Sequence, residues 1–153
     1  MLLNTRREPK LNLGNPCFSR YLPLTMGRII SSVSVSNYLE PDKTIRCDAL
    51  VDTGASHMIL PKAWKERLGK LARCRTIKIE TADQRESEAE ICGPVEVELE
   101  GFRPVSTEVM FMDMKPADGN YEPLIGYLVL EACPAAVDML GHRLVPVKHL
   151  DAK

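Results

Sequence analysis

Residues 49 to 61, ALVDTGASHMILP, set an acid, a hydroxyl and a glycine between two apolar stretches. Ala49-Leu50-Val51 leads in and Met58-Ile59-Leu60 leads out, so the polar residues must form a turn between elements that both belong to a core. The pattern predicts a turn lying away from the surface. That is a problem for Asp52, because a carboxylate buried without partners is costly. Thr53 can supply a hydroxyl hydrogen bond, and Gly54 lets backbone N–H groups approach the acid. Two readings of Asp52 stand at this point: an ordinary turn acid, or a carboxylate retained for chemistry.

The surrounding sequence is strand-like. GRIISSVSVSN, from Gly27, alternates apolar and small polar residues, and TIRCDALV (Thr44 to Val51) runs straight into the acid. With the turn signal Glu40-Pro41-Asp42 between them, the two make a hairpin. Pro61 at a first helical turn, Trp64 and Leu68 four apart, and Gly69 as a stop predict a two-turn helix with a basic outer side. Residues 75 to 112 alternate again, with turn signals at Ala82-Asp83-Gln84, Gly93-Pro94 and Gly101, so short strands at hairpin spacing are expected. KPADGN (115 to 120) reads as a loop. EPLIGYLVLEA follows, and then a last hairpin through Asp138 to Gly141 with RLVPV as its second strand. The sum is a mostly β domain with one or two short helices.

The 153 residues suit one compact domain. Lys and Arg number 20 against 21 Asp and Glu, a net charge of −1, so no field favours nucleic acid or an anionic membrane. No apolar run approaches the ~18 residues of a membrane span. The first 25 residues show no sustained period and read as a loose N-terminal extension, with the domain over 26–150; Met26 is a candidate start. The extension is basic and acid-poor, which admits a transit peptide, although a dispensable tail is preferred. Five scattered cysteines (Cys17, Cys47, Cys74, Cys92, Cys133), with no C-x-x-C pair, read as reduced thiols of a cytoplasmic protein.

ALVDTGASHMILP resembles the active-site loop of the retropepsins, the retroviral-type aspartic proteases: apolar residues, Asp-Thr/Ser-Gly, then Ala. Leu124-Ile125-Gly126 ahead of YLVLEA resembles the family's second hallmark, an apolar-apolar-Gly segment before a short helix. Between them lies a hairpin in the position of the flap, with Ala82, Asp83 and Gln84 near its tip, though without the glycine-rich tip of retroviral flaps. The closing VDMLGHRLVPV is similar to the last hairpin of small prokaryotic members. The resemblance covers about residues 27 to 148 and implies a retropepsin-like β-barrel acting as a homodimer. Only one DTG exists in the chain, and the chemistry needs two carboxylates sharing one proton, the arrangement for which aspartic proteases are the standard example.

The resemblance further implies catalytic roles for Asp52, Thr53 and Gly54. It implies contact with an extended peptide or unfolded substrate by Ala55, Ala82, Asp83, Gln84, Leu124, Ile125 and Gly126. No metal or cofactor is called for. Ala55, where pepsin-like sites carry a hydroxyl residue, predicts that the pair titrates at higher pH than in those enzymes. Among blander readings, His57 is a strand-end residue and no general base, Cys47 is a small buried hydrophobe, and RESEAE (85 to 90) is a solvated strand edge. Two rival functions fit parts of the same pattern: a non-catalytic dimeric peptide-binding module of the same fold, and a phosphate-handling enzyme with an actin-like D-x-G-[ST] loop. The second ranks last, for the chain lacks room for two lobes and carries no P-loop pattern.

Overall fold

The protein is described by a computed structural model over residues 27–80 and 86–148. The N-terminal extension and the Ala82-Asp83-Gln84 tip fall outside those residues. Strands β1 (Ile30–Asn37) and β2 (Thr44–Val51) form the expected antiparallel hairpin, with Ile30 opposite Leu50 and Ser36 opposite Thr44. Period two is visible in its burial: Val33, Val35 and Asn37 face inward while the intervening serines face out.

β3 (Met58–Pro61) pairs in parallel with β6 (Val105–Met112), and β7 (Leu124–Ile125) lies between β2 and β3. The order of the main sheet is β1-β2-β7-β3-β6-β5-β4, and β1 also pairs with β5 (Glu86–Leu99), so its six strands other than β4 (Arg73–Glu80) close into a barrel. β8 (Ala135–Asp138) and β9 (Arg143–Pro146) form a separate terminal hairpin, and α1 (Tyr127–Ala132) precedes it. The barrel interior is filled by Phe111, Ile45, Met58, Leu60, Ile125 and their fully buried neighbours, and Trp64, Val137 and Leu144 pack against it from outside. A smaller cluster on the other face of β5 and β6 joins Ala89, Ile91 and Met110 to Ile77 and Ile79 of β4.

Three expectations need correction. Gly93-Pro94 is no turn: β5 runs through it unbroken. Before that point β5 pairs with β4, beyond it with β1, and its register against β6 shifts between Cys92 and Val95. The pair is therefore a bulge that re-aims one long strand from the projecting hairpin into the barrel, at a place where Pro94 has no N–H to lose from a ladder. Secondly, Cys74 and Cys92 are not reduced thiols. They sit directly opposite each other on β4 and β5, 4.2 Å apart at Cα, and are joined as a disulfide. Cys47 and Cys133 are free. Thirdly, the turn after Val51 is not buried, as described below.

The helix after Pro61 is a 3-10 helix, Lys62–Leu68, stopped by Gly69 at φ 67°. Its Leu68 is buried, and Trp64 lies edge-on to Tyr121 with the Arg67 guanidinium 5.1 Å from its ring centre. The only buried polar side chain among the described residues, Asn37, holds this helix to the hairpin: its amide donates to the carbonyls of Leu68 (2.9 Å) and Lys70 (3.1 Å), and its oxygen accepts the Leu39 N–H. Such a group is tolerated because it is satisfied. No described helix is long and apolar enough to cross a membrane.

Candidate active site

Asp52 is the residue at which β2 leaves the barrel. Its position is set by β7, which runs parallel with Leu50 opposite Leu124 and Val51 opposite Ile125. The Leu50 N–H donates to the Pro123 carbonyl (2.9 Å) and the Asp52 N–H to the Ile125 carbonyl (3.0 Å), so the ladder continues into the acid itself. The Ala55 N–H returns to the Asp52 carbonyl (3.1 Å) and closes the turn. Within it, the Gly54 N–H donates to Asp52 Oδ1 at 2.9 Å. A Cβ on residue 54 would lie 3.1 Å from that oxygen, which is why the position favours glycine.

The far side of the turn is fixed by α1. Its first N–H groups, those of Tyr127 and Leu128, have no partners within the helix and donate instead to the carbonyls of Ala55 (2.9 Å) and Ser56 (3.1 Å). For this to happen the chain at 55–57 must lie against Gly126. A Cβ there would meet the Ala55 carbonyl at 2.7 Å and the His57 carbonyl closer still, so no side chain fits. Gly126 has an ordinary extended backbone, φ −83° and ψ 170°, and the requirement is one of space.

The structure thus brings together Asp52, Thr53, Gly54, Ala55, Leu124, Ile125 and Gly126. Ile125 and Gly126 are buried, whereas Asp52 and Ala55 are half-buried and Thr53 and Gly54 exposed. The apolar stretches on either side bury their own side chains in the barrel, whereas Thr53 and Gly54 at the tip of the turn are exposed. The Thr53 hydroxyl has no hydrogen-bond partner among the described residues. Asp52 and Thr53 line a cleft of about 370 Å3 with Gly27, Ile29, Val51, Val137 and Met139. The last of these, from the β8–β9 turn, was not singled out from the sequence; its only signal there was an apolar pair, Met139-Leu140, at a predicted turn.

His57 is half-buried, and its Nδ1 lies 2.9 Å from the Ser56 hydroxyl. Burial holds it below the usual imidazole range, with Glu108 acting against that and Arg75 adding to it. A neutral ring bonded to its neighbour agrees with a strand-end role. The Cys47 thiol is pushed up to about 11, chiefly by burial and then by Asp48, so it is protonated at neutral pH and a poor nucleophile.

The sequence model of the aspartyl protease family matches residues 38–129, which include the turn at Asp52, the β4–β5 hairpin and the Leu124-Ile125-Gly126 segment. The chain belongs to the aspartyl protease family. Among solved structures, it is similar to the EIAV protease complexed with the inhibitor HBY-793, a retroviral protease, at 21% identity and a TM-score of 0.50, over 68% of this chain and 86% of that one. That likeness assigns this aspartyl protease the retroviral protease fold. A search of curated proteins found no significant match.

Proposed function

We propose that this protein is an aspartic endopeptidase whose water-activating pair is Asp52 from each of two copies of the chain. What supports the reading most is that the family's acid occurs once per chain, with one carboxylate oxygen on the Gly54 N–H, in a turn locked by β7 and α1 but open on its outer side. An isologous pair of such turns supplies both carboxylates from one sequence.

In this mechanism the ionised Asp52 takes a proton from a water held between the pair, while the protonated partner donates to the substrate carbonyl. The resulting diol collapses when a proton reaches the amide nitrogen. Two carboxylates a few ångströms apart cannot both ionise, so the shared proton is intrinsic to the geometry. Thr53, exposed beside the acid, braces one turn against the other. Gly54 and Ala55 meet an extended substrate backbone, Leu124, Ile125 and Gly126 support the floor, and Ala82, Asp83 and Gln84 close over it. The substrate class is therefore an unfolded or extended peptide. The cytoplasm is retained as its place of action, and the Cys74–Cys92 bond weighs against it.

Incubating the wild type and Asp52→Asn with a denatured protein mixture tests the reading. Cleavage should fall by about 10³-fold or more in the variant. Equal cleavage by both ends the assignment. A wild type that binds extended peptides without cutting them, and an Asp52→Asn protein that binds them equally, would leave the peptide-binding module as the function.

A further inference from the structure

We infer that the Cys74–Cys92 bond is a reversible redox site, opened by glutathione or a dithiol, that sets how firmly the root of the β4–β5 hairpin is held and so how well the hairpin grips a substrate. Only the effect on substrate rests on the endopeptidase reading above; the redox site itself stands on the fold. The two cysteines lie where the hairpin joins the barrel. Cys74 is opposite Cys92, and the next pair, Arg73 with Gly93, is the last between β4 and β5 before β5 passes through the bulge to β1. Cys92 is fully buried among the barrel side chains, whereas Cys74 is exposed on β4. One end of the bond is anchored in the core and the other sits on an open strand.

The register of β4 does not depend on the bond. All 8 residues from Arg73 to Glu80 pair in sequence with Gly93 back to Glu86. Ile77 and Ile79 also pack with Ala89, Ile91 and Met110, and Arg75 holds Glu108 of β6. Sulfurs released there stay face to face and can rejoin. The charge beside them is positive. A Glu90 carboxylate oxygen and the two sulfurs lie within 4.8 Å of one another, and Glu90 accepts from Lys65 and meets Lys62 at 3.4 Å. Two lysines against one carboxylate favour the thiolates that exchange forms. Burial raises the Cys133 thiol and pushes Cys47 up to about 11, so both free thiols are protonated at neutral pH and exchange calls for a thiol from outside. In a reducing compartment, the place of action retained above, the disulfides that occur are of the kind that open and close.

Exchange runs in two steps. A reductant thiolate attacks the Cys74 sulfur, the S–S bond breaks, and Cys92 leaves with the electron pair and takes up a proton. A second reductant thiolate then attacks the reductant sulfur of the mixed disulfide and releases Cys74, which is protonated in turn. Two electrons and two protons pass to the protein, and two reductant thiols become one disulfide. The open form keeps the β4–β5 ladder but loses the tie between the hairpin root and the core. The Asp52 turn is bonded through β7 and α1, so the acid keeps its place while the hairpin loosens.

The test places the folded wild type in glutathione buffers of rising reduced-to-oxidised ratio. Thiol alkylation after acid quench, hydrogen exchange along β4 and cleavage kinetics are read on the same samples. The bond should open and reclose with the chain folded, and exchange in β4 should quicken by about tenfold. KM should rise about threefold or more with kcat within about twofold. Cys74→Ser should carry the KM of the open form in every buffer, and Cys47→Ser should respond as the wild type does. A bond that stays closed against a large excess of reduced glutathione, or opens without reclosing, overturns the inference, as does a KM indifferent to its state. A wild type that cleaves in neither state sinks the proposed function, while alkylation and hydrogen exchange still decide the redox site.

Discussion

The Asp52 turn and the β4–β5 hairpin are held by opposite means. Around Asp52 the constraint is space and backbone: N–H groups of Asp52, Gly54, Ala55, Tyr127 and Leu128 all find partners across three segments, and Gly126 leaves no room for adjustment. Among the described residues β4 is bonded on one side only, is exposed along most of its length, and is held by staples: the Cys74–Cys92 bond to β5 and the Arg75 guanidinium on both oxygens of Glu108 in β6 (2.7 and 2.8 Å). A chemical site needs its acid fixed within a fraction of an ångström, which packing supplies. A projecting hairpin with one exposed side needs its register kept, which local staples supply.

Gly126→Ala breaks the first region most severely. The added methyl overlaps backbone carbonyls that have no free direction, so a loss of about 3 kcal/mol is expected in urea unfolding, with cleavage abolished. A variant as stable as the wild type would mean that the turn is far softer than its geometry implies. Replacing both Cys74 and Cys92 by serine probes the second region. The bond closes a loop of 18 residues, and its loss should cost about 2 to 3 kcal/mol. Hydrogen exchange should quicken along β4 while the amides of Asp52 and Ala55 keep their protection; equal change in both would erase the contrast.

Arg75→Ala gives the smallest effect. The guanidinium, chiefly through its hydrogen bonds, holds Glu108 below the usual carboxylate range, so the variant should move Glu108 back up in a carbon-detected titration. With the folded value depressed, the pair's stabilisation is present above the ordinary carboxylate range and is lost as pH falls through the lowered value. Wild type and variant should thus converge in stability on the acid side and differ little at neutral pH, because both groups are well exposed. A wide gap persisting in acid would contradict the ion-pair origin.

The parts of this molecule legible in sequence are those where local pattern and final role coincide. Asp52-Thr53-Gly54 and Leu124-Ile125-Gly126 are short, contiguous and flanked by apolar strands, and the structure bonds the two segments to each other. The β1–β2 and β8–β9 hairpins follow from alternation and turn residues alone. Gly93-Pro94 misled because the same residues that make a turn also make a bulge, and only the change of partner from β4 to β1 distinguishes them. The disulfide had a signal that cysteine spacing does not carry: Cys74 and Cys92 lie equally far on either side of Asp83, so a hairpin centred there sets them opposite. Exposure of the Asp52 turn was hidden because hydrophobicity reports what a strand buries and says nothing of whether the turn beyond it is covered by the same chain.

Barrel closure leaves β4 as the edge of the main sheet among the described residues. It carries Arg73, Arg75 and Lys78 against a single acid, Glu80. Arg75 is held by Glu108, but Arg73, Lys78 and Glu80 still set charged side chains along this edge, and such charges hinder the edge-to-edge pairing by which unprotected strands aggregate.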